Sequence, residues 1–345
     1  MLQYSQIVGN QEDWADIITN VEMMETPFLD WLPVGDKPVN VLHNYQAEKY
    51  EDPVANAHVD GRPVSGFASA GDGRGKLIAL IQYFTKTSSV TRLHQDVSNI
   101  AGIEDELGRD MVKRTKELAR DIEVAFLEST DHVEGSSTTA YKTRGVASWI
   151  SNSAQSLYPV PVDFRPPTTS ISTTASASLT ENTILDILES MGQVTKSKNP
   201  ITAFPGQKAK RAFNNIPLFN PQATLVPGGT AVATGITYNK NGKTIDRVFE
   251  RYMSDFGPID LPGISWYNVA LSGGTVEKAY CTYFLHQNMW QLRWGPGSEA
   301  TKSKSGKPTW IRKPYEGGSY EAFCETLAML ECLNPKGEGR YQPTS

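Results

Sequence analysis

The sequence predicts an α+β fold with long excursions, and three observations carry that prediction. A charged segment from Glu104 to about Ser129 places apolar residues at helical spacing. Strand-like runs rich in β-branched and aromatic residues gather after Pro217 and at the C-terminus, between Gly/Pro turns, so helices and strands do not alternate as βαβ units. Two stretches, 1–40 and 41–92, are too polar and too punctuated by Pro or Gly to pack wholly within one domain.

Residues 1–40 form a polar opening with apolar anchors at Trp14, Ile17, Ile18, Phe28, Trp31 and Leu32. Pro27, Pro33 and Pro38 favour an extended arm that cannot bury those anchors locally. Residues 41–92 read as a projecting hairpin. VLHNYQAEKYED leads out, DGRPVSGFASAGDGRG makes the tip, and KLIALIQYFTKTSSVT returns as a strand.

The helix over 104–129 follows, with Ile103, Leu107, Met111, Leu118, Ile122 and Phe126 on one face. Asp105 with Arg109, and Asp110 with Arg114, are favourable i,i+4 pairs. Such a helix runs about 37 Å, and a single apolar stripe on it predicts that it lies across a sheet.

From Thr130 the composition shifts to Ser, Thr, Gly and Pro, ending in TTSISTTASAS at 168–178, which reads as a surface loop. Thr180 is an N-cap candidate for a second helix, with Ile184, Ile187, Leu188 and Met191 on its apolar face. A short helix is expected over 207–215. Strand-like segments follow at TIDRVFERYM, GISWYNVAL and VEKAYCTYFLHQNMWQLRW. The last places Phe284, Trp290, Leu292 and Trp294 on one strand face. SKSGKP at 303–308 is a turn, and YEAFCETLAMLECLN is read as a closing strand.

Composition excludes several function classes. The 33 basic and 38 acidic residues leave a net charge of −5, and no basic stripe is visible along the chain, so tight DNA binding by an isolated subunit is not expected. No leader pattern and no membrane-spanning apolar run appear. Cys281, Cys324 and Cys332 form no CxxC pair, so reduced, buried, dispensable thiols are expected rather than zinc ligands or a disulfide framework.

Catalytic templates fail as well. GDGRGK at 71–76 misses the P-loop, with Ala70 at the first glycine and Leu77 at the Ser/Thr position. Lys76 takes the third glycine of a dinucleotide loop. Cys281 and His286, five apart in one predicted strand, point to opposite faces. Glu104, Asp105 and Glu106 complement a helix N-terminus more readily than they form a glycosidase pair. HExxH and GxSxG are absent. No enzyme, cofactor or metal is expected.

The order arm, hairpin, long helix, mixed insert and closing strands resembles the major capsid proteins of tailed bacteriophages with the Hong Kong 97-like fold, and within them the phage SU-ten-like family. The matching segments are METPFLDWLP at 24–33, NAHVDG at 56–61, ELARDIEVAFLES at 117–129, KNPITAFPGQKAKRAFNN at 198–215, RYMSDFG at 251–257 and the closing AFCETLAMLECLNP.

The resemblance implies an N-terminal arm (1–40), an extended loop (41–92), a peripheral domain with the spine helix (93–150 and 310–345) and an axial domain (151–309). It implies a shell of hexamers and pentamers enclosing double-stranded DNA without sequence-specific binding, made in the host bacterial cytoplasm and located in the virion, without a membrane. Scaffolding, portal and decoration proteins are the implied partners. The expected assembly contacts are Trp14, Phe28, Trp31, Arg62, Phe67, Arg74, Tyr83 and Phe84. Two other readings stay open on sequence alone: another virion component, such as a tail or adhesion protein, and a hydrolase with an unrecognised site.

Overall fold

The structure, a computed structural model, describes residues 26–62, 66–67, 73–96, 105–128, 131–174, 180–195, 200–206, 208–211, 237–238, 245–246, 251–262, 281–295, 307–315 and 317–343. The helices are α1 (Pro27–Trp31), α2 (Arg92–Asp96), α3 (Glu106–Leu127), α4 (Val146–Trp149) and α5 (Glu181–Thr195). The first strands are β1 (Leu42–Glu48), β2 (Arg74–Leu80), β3 (Gln82–Thr91), β4 (Ile171–Ser172) and β5 (Ile201–Pro205). The short pair β6 (Thr237–Tyr238) and β7 (Ile245–Asp246) precedes β8 (Arg251–Ser254) and β9 (Gly257–Asp260). The chain closes with β10 (Thr282–Leu285), β11 (Trp290–Trp294), β12 (Thr309–Arg312), β13 (Ser319–Cys332) and β14 (Gly339–Tyr341).

Two sheets organise the chain. In the first, the 14-residue β13 carries antiparallel β3 along one side, and β12 and β11 end to end along the other. Helix α3 lies across β3 and β13, as its single apolar stripe predicts. Asp105 caps it by accepting the Gly108 N–H at 2.9 Å. Leu107, Leu118, Ile122 and Phe126 are buried.

The second sheet runs β4-β14-β10-β5-β9-β8, and α5 buries Ile184, Ile187, Leu188 and Met191 in a core with Ile201, Ile259, Phe284 and Tyr341. Thr180 accepts the Thr183 N–H at 3.4 Å, as its position before α5 predicts. The closing segment is a strand, and residues 208–211 are helical. GISWYNVAL and most of SKSGKP lie outside the described residues.

Three expectations need correction. The segment 76–91 is not one return strand. It breaks at Ile81, β2 pairing with β1 and β3 with β13, so the projecting hairpin is β1–β2 with residues 49–73 as its loop. The segment 280–294 is not one strand either. It breaks at 286–289, sending Phe284 to the second core and Trp290 and Leu292 to the first. The sheets also cut across the division at 150 and 309. Strand β11, expected in the axial part, joins the spine-helix sheet, and β14, expected in the peripheral part, joins the other.

Two glycines are fixed by close backbone approach. A Cβ on Gly145 would sit 1.7 Å from the Glu128 carbonyl oxygen, so the chain can fold back against the end of α3 only without a side chain there. Gly73 closes the base of the hairpin loop at φ +80°, its site for a Cβ only 2.6 Å from the Lys49 carbonyl oxygen.

Candidate assembly surfaces

The expected contact residues fall into two groups. Phe28 and Phe84 belong to the subunit's own core, at 0% and 7% exposure. Pro27 at the start of α1 permits this, because a proline at the first helical position costs no hydrogen bond. The short helix turns Phe28 inward, where it meets Phe204 edge-on at 5.3 Å and stacks with Trp31 at 5.9 Å. Buried Glu123 on α3 accepts the Phe28 and Leu29 N–H groups, each at 3.2 Å. Trp31 packs at the edge of the same core and donates its indole N–H to Thr202 at 3.1 Å. The expectation that the segment before Asn40 cannot bury its anchors is therefore wrong for Phe28, and Phe84 is likewise no free contact. Trp14 lies outside the described residues.

The other group is at the surface. Beyond Lys49, whose N–H bonds the Gly73 carbonyl at 2.9 Å, the described part of the loop pairs with no strand. It exposes Tyr50 (92%), Val54 (79%), Val59 (83%) and Phe67 (87%). Arg62 meets His58 at 2.6 Å, and Arg74 pairs with Glu48 at 3.6 Å. Tyr83 is half exposed on β3 and donates to Glu325 at 2.6 Å, its phenol pushed up to about 12 by partial burial and by that carboxylate. Sequence reasoning missed Tyr50, Val54 and Val59. Their signal was present in the sequence: apolar side chains inside a Pro- and Asp-rich stretch with no periodicity.

No reactive constellation accompanies these surfaces. The three thiols are buried, and burial raises those of Cys324 and Cys332. Among the described residues no group of His, Cys, Asp and Glu can hold a metal, and no helix is long and apolar enough to cross a membrane. A cleft of about 770 Å³ between the hairpin base and α5 is lined by Glu51, Asp52, Asp163, Phe164 and Lys336. Its Ser190 and Thr169 hydroxyls bond each other at 2.7 Å, leaving no activated nucleophile. Buried His286 at its wall pairs with buried Glu338, whose carboxyl is raised by burial.

The fold is that of phage capsids of the Hong Kong 97-like type. The cyanophage A-1(L) capsid subunit aligns over 99% of this chain and 99% of its own, at 14% identity and a TM-score of 0.65. The capsid of a native GTA particle aligns over 99% and 98%, at 9% identity and 0.60. The cyanophage P-SCSP1u capsid aligns over 97% and 93%, at 10% identity and 0.58. Among curated proteins no sequence match is found. A family model described as SU10 major capsid protein matches residues 2–307. With that match over most of its length, and a capsid fold end to end, the chain belongs to the SU10 major capsid protein family.

Proposed function

We propose that copies of this chain tile a closed shell as hexamers and pentamers, with the 49–73 loop of each subunit lying on its neighbours. The family is one of structural, non-enzymatic proteins of the virion, which sets aside the hydrolase and tail-component readings. In this reading the shell encloses DNA without reading its sequence. Subunits are made in the host bacterial cytoplasm and meet scaffolding, portal and decoration proteins there.

The exposed apolar loop carries the reading. The β1–β2 strands rest on the core through Leu77 and Ala79, with Tyr45 and Ala47 packed beside them, whereas the described part of the 49–73 loop pairs with no strand. Burying a large apolar side chain stabilises by about 1.5–3 kcal/mol, so Tyr50, Val54, Val59 and Phe67 favour a partner surface.

Replacing residues 50–72 by Asn-Gly tests this, because Lys49 and Gly73 already bond across the hairpin and suit a two-residue turn. The expected product is a soluble subunit with unchanged circular dichroism that forms no closed shells by electron microscopy. Normal shells would refute the loop's role, and an unfolded subunit would place the loop in the fold.

A further inference from the structure

The cleft between the hairpin base and α5 carries the first core out to the surface. Buried Phe164 belongs to that core and half-buried Met289 packs against it. With half-buried Val194 and Leu333 they give the cleft an apolar floor. Its volume of about 770 Å³ lies among clefts of about 300–1,000 Å³ that take whole small molecules, so one aromatic side chain and its flanks fit with room.

The rim of the cleft is charged. Glu51, Asp52 and Asp163 stand exposed on it and form no ion pair among the described residues. Glu48 is already engaged by Arg74 at 3.6 Å. Lys49 and Lys336 also line the cleft, so three unpaired carboxylates face two lysines. The rim is acidic by one charge and favours a cationic side chain over an anionic one.

Phe67 of the same chain does not fill this floor, because its ring is 87% exposed. It is the largest wholly apolar side chain that the described loop exposes. Gly66 and Ala68 flank it, so nothing bulky beside the ring hinders insertion. Arg62 precedes the ring by five residues, at most about 18 Å of chain. Among the described residues its hydrogen bond goes to His58 and not to a carboxylate. An aromatic anchor seated in a pocket and ringed by polar contacts is the arrangement that usually carries the energy of a protein interface.

We propose that the cleft between the hairpin base and α5 of one subunit receives Phe67 from the loop of a second copy, with Arg62 set against the carboxylates of the rim. The proposal rests on the shell reading above and names the surface on which the loop lands. The knob would extend the neighbour's first core, and the charged rim would select the loop's orientation.

The test joins the two surfaces chemically. Ala68→Cys puts a thiol one position from the ring, and Lys336→Cys puts one at the cleft, leaving Phe67 and the apolar floor intact. Particles assembled from a mixture of isotopically light and heavy double-variant subunits are treated with a short bismaleimide and digested for mass spectrometry. Peptides carrying positions 68 and 336 are expected to be joined, with light–heavy pairs showing that they come from different copies. Each single variant should yield no such pair. In the unaltered protein, labelling by a photolysed diazirine should fall several-fold at Phe67, Met289 and Leu333 between free subunits and shells.

Shells that form without the 68–336 pair would overturn the proposal, and so would pairs found only within one copy. If the double variant fails to assemble, the labelling of the unaltered protein decides. Unchanged labelling of Met289 and Leu333, or of Phe67, would then overturn it. Failure of the shell reading would show separately, as an absence of closed particles from the unaltered protein, and would remove this proposal with it.

Discussion

Phe28 and Glu123 tie the N-terminal segment to the long helix through two different forces. The ring fills the core against Phe204, while the carboxylate satisfies two N–H groups at the start of α1, where negative charge is favoured. Phe28→Ala is expected to cost about 3–5 kcal/mol, and Glu123→Ala about 1–3 kcal/mol, read as lower urea midpoints.

His132 makes the opposite kind of contribution. It packs edge-on to Trp149 at 6.0 Å and to Tyr158 at 6.4 Å, with both ring nitrogens unpartnered. Burial, and then the Arg144 guanidinium, hold its pKa down to about 2. The unfolded chain takes up that proton near pH 6.5 and the folded chain does not, so stability falls as pH drops below about 6.5. From pH 6.5 to 5 the loss is up to about 2 kcal/mol, and His132→Phe should remove that part of the acid sensitivity while keeping the ring contacts. Urea titrations of both proteins at pH 5 and 7 measure it.

At the scale of elements, what the sequence made legible was periodicity. The helix expected over 104–129 spans 106–127, Thr180 precedes α5, and the closing segment is a strand. What stayed illegible was partnership. Strand-forming residues run without a turn signal through Ile81, and Phe284, Trp290 and Leu292 read as one strand face across 286–289, yet at each point the chain leaves one strand pair for another, a choice made by distant residues of β13 and β14. Phe28, in the described end of the arm, was misread for a related reason. Three prolines argue for extension on average, but one of them occupies the position where a helix accepts it. Of the expected contacts, Arg62, Phe67 and Arg74 lie on or beside an exposed loop, while Phe28 and Phe84 needed the tertiary core to be placed. The cap of α3 was only partly legible. Asp105 accepts from the Gly108 N–H, which holds its carboxyl below the usual range, and from the Gln95 side chain at 3.1 Å. Asp105→Ala should therefore cost about 1 kcal/mol, and Asp105→Asn less, as a modest drop in thermal midpoint.

On the scale of the whole molecule, the proposed shell contacts of the loop and the cores of the fold fall on separate residues. The cores around Trp290 and Phe284 are closed by the subunit's own strands, so substitutions there act on the monomer. Phe67 stands outside both, at 87% exposure. Phe67→Ser is expected to leave the urea midpoint within about 0.5 kcal/mol of the original, the usual range for an exposed side chain. If a neighbour covers the ring in the shell, the same change removes about 1.5–3 kcal/mol per loop contact. Each 1.4 kcal/mol corresponds to about a factor of ten in an association constant, so the free subunit in equilibrium with shells should rise about tenfold or more. Sedimentation of assembled and free protein over a concentration series measures that shift, and Phe28→Ala serves as the contrast. A loss of assembly in Phe67→Ser that tracked a loss of monomer stability would place Phe67 in the fold. Unchanged assembly would remove it from the interface, and the loop's role would then fall to Tyr50, Val54 and Val59.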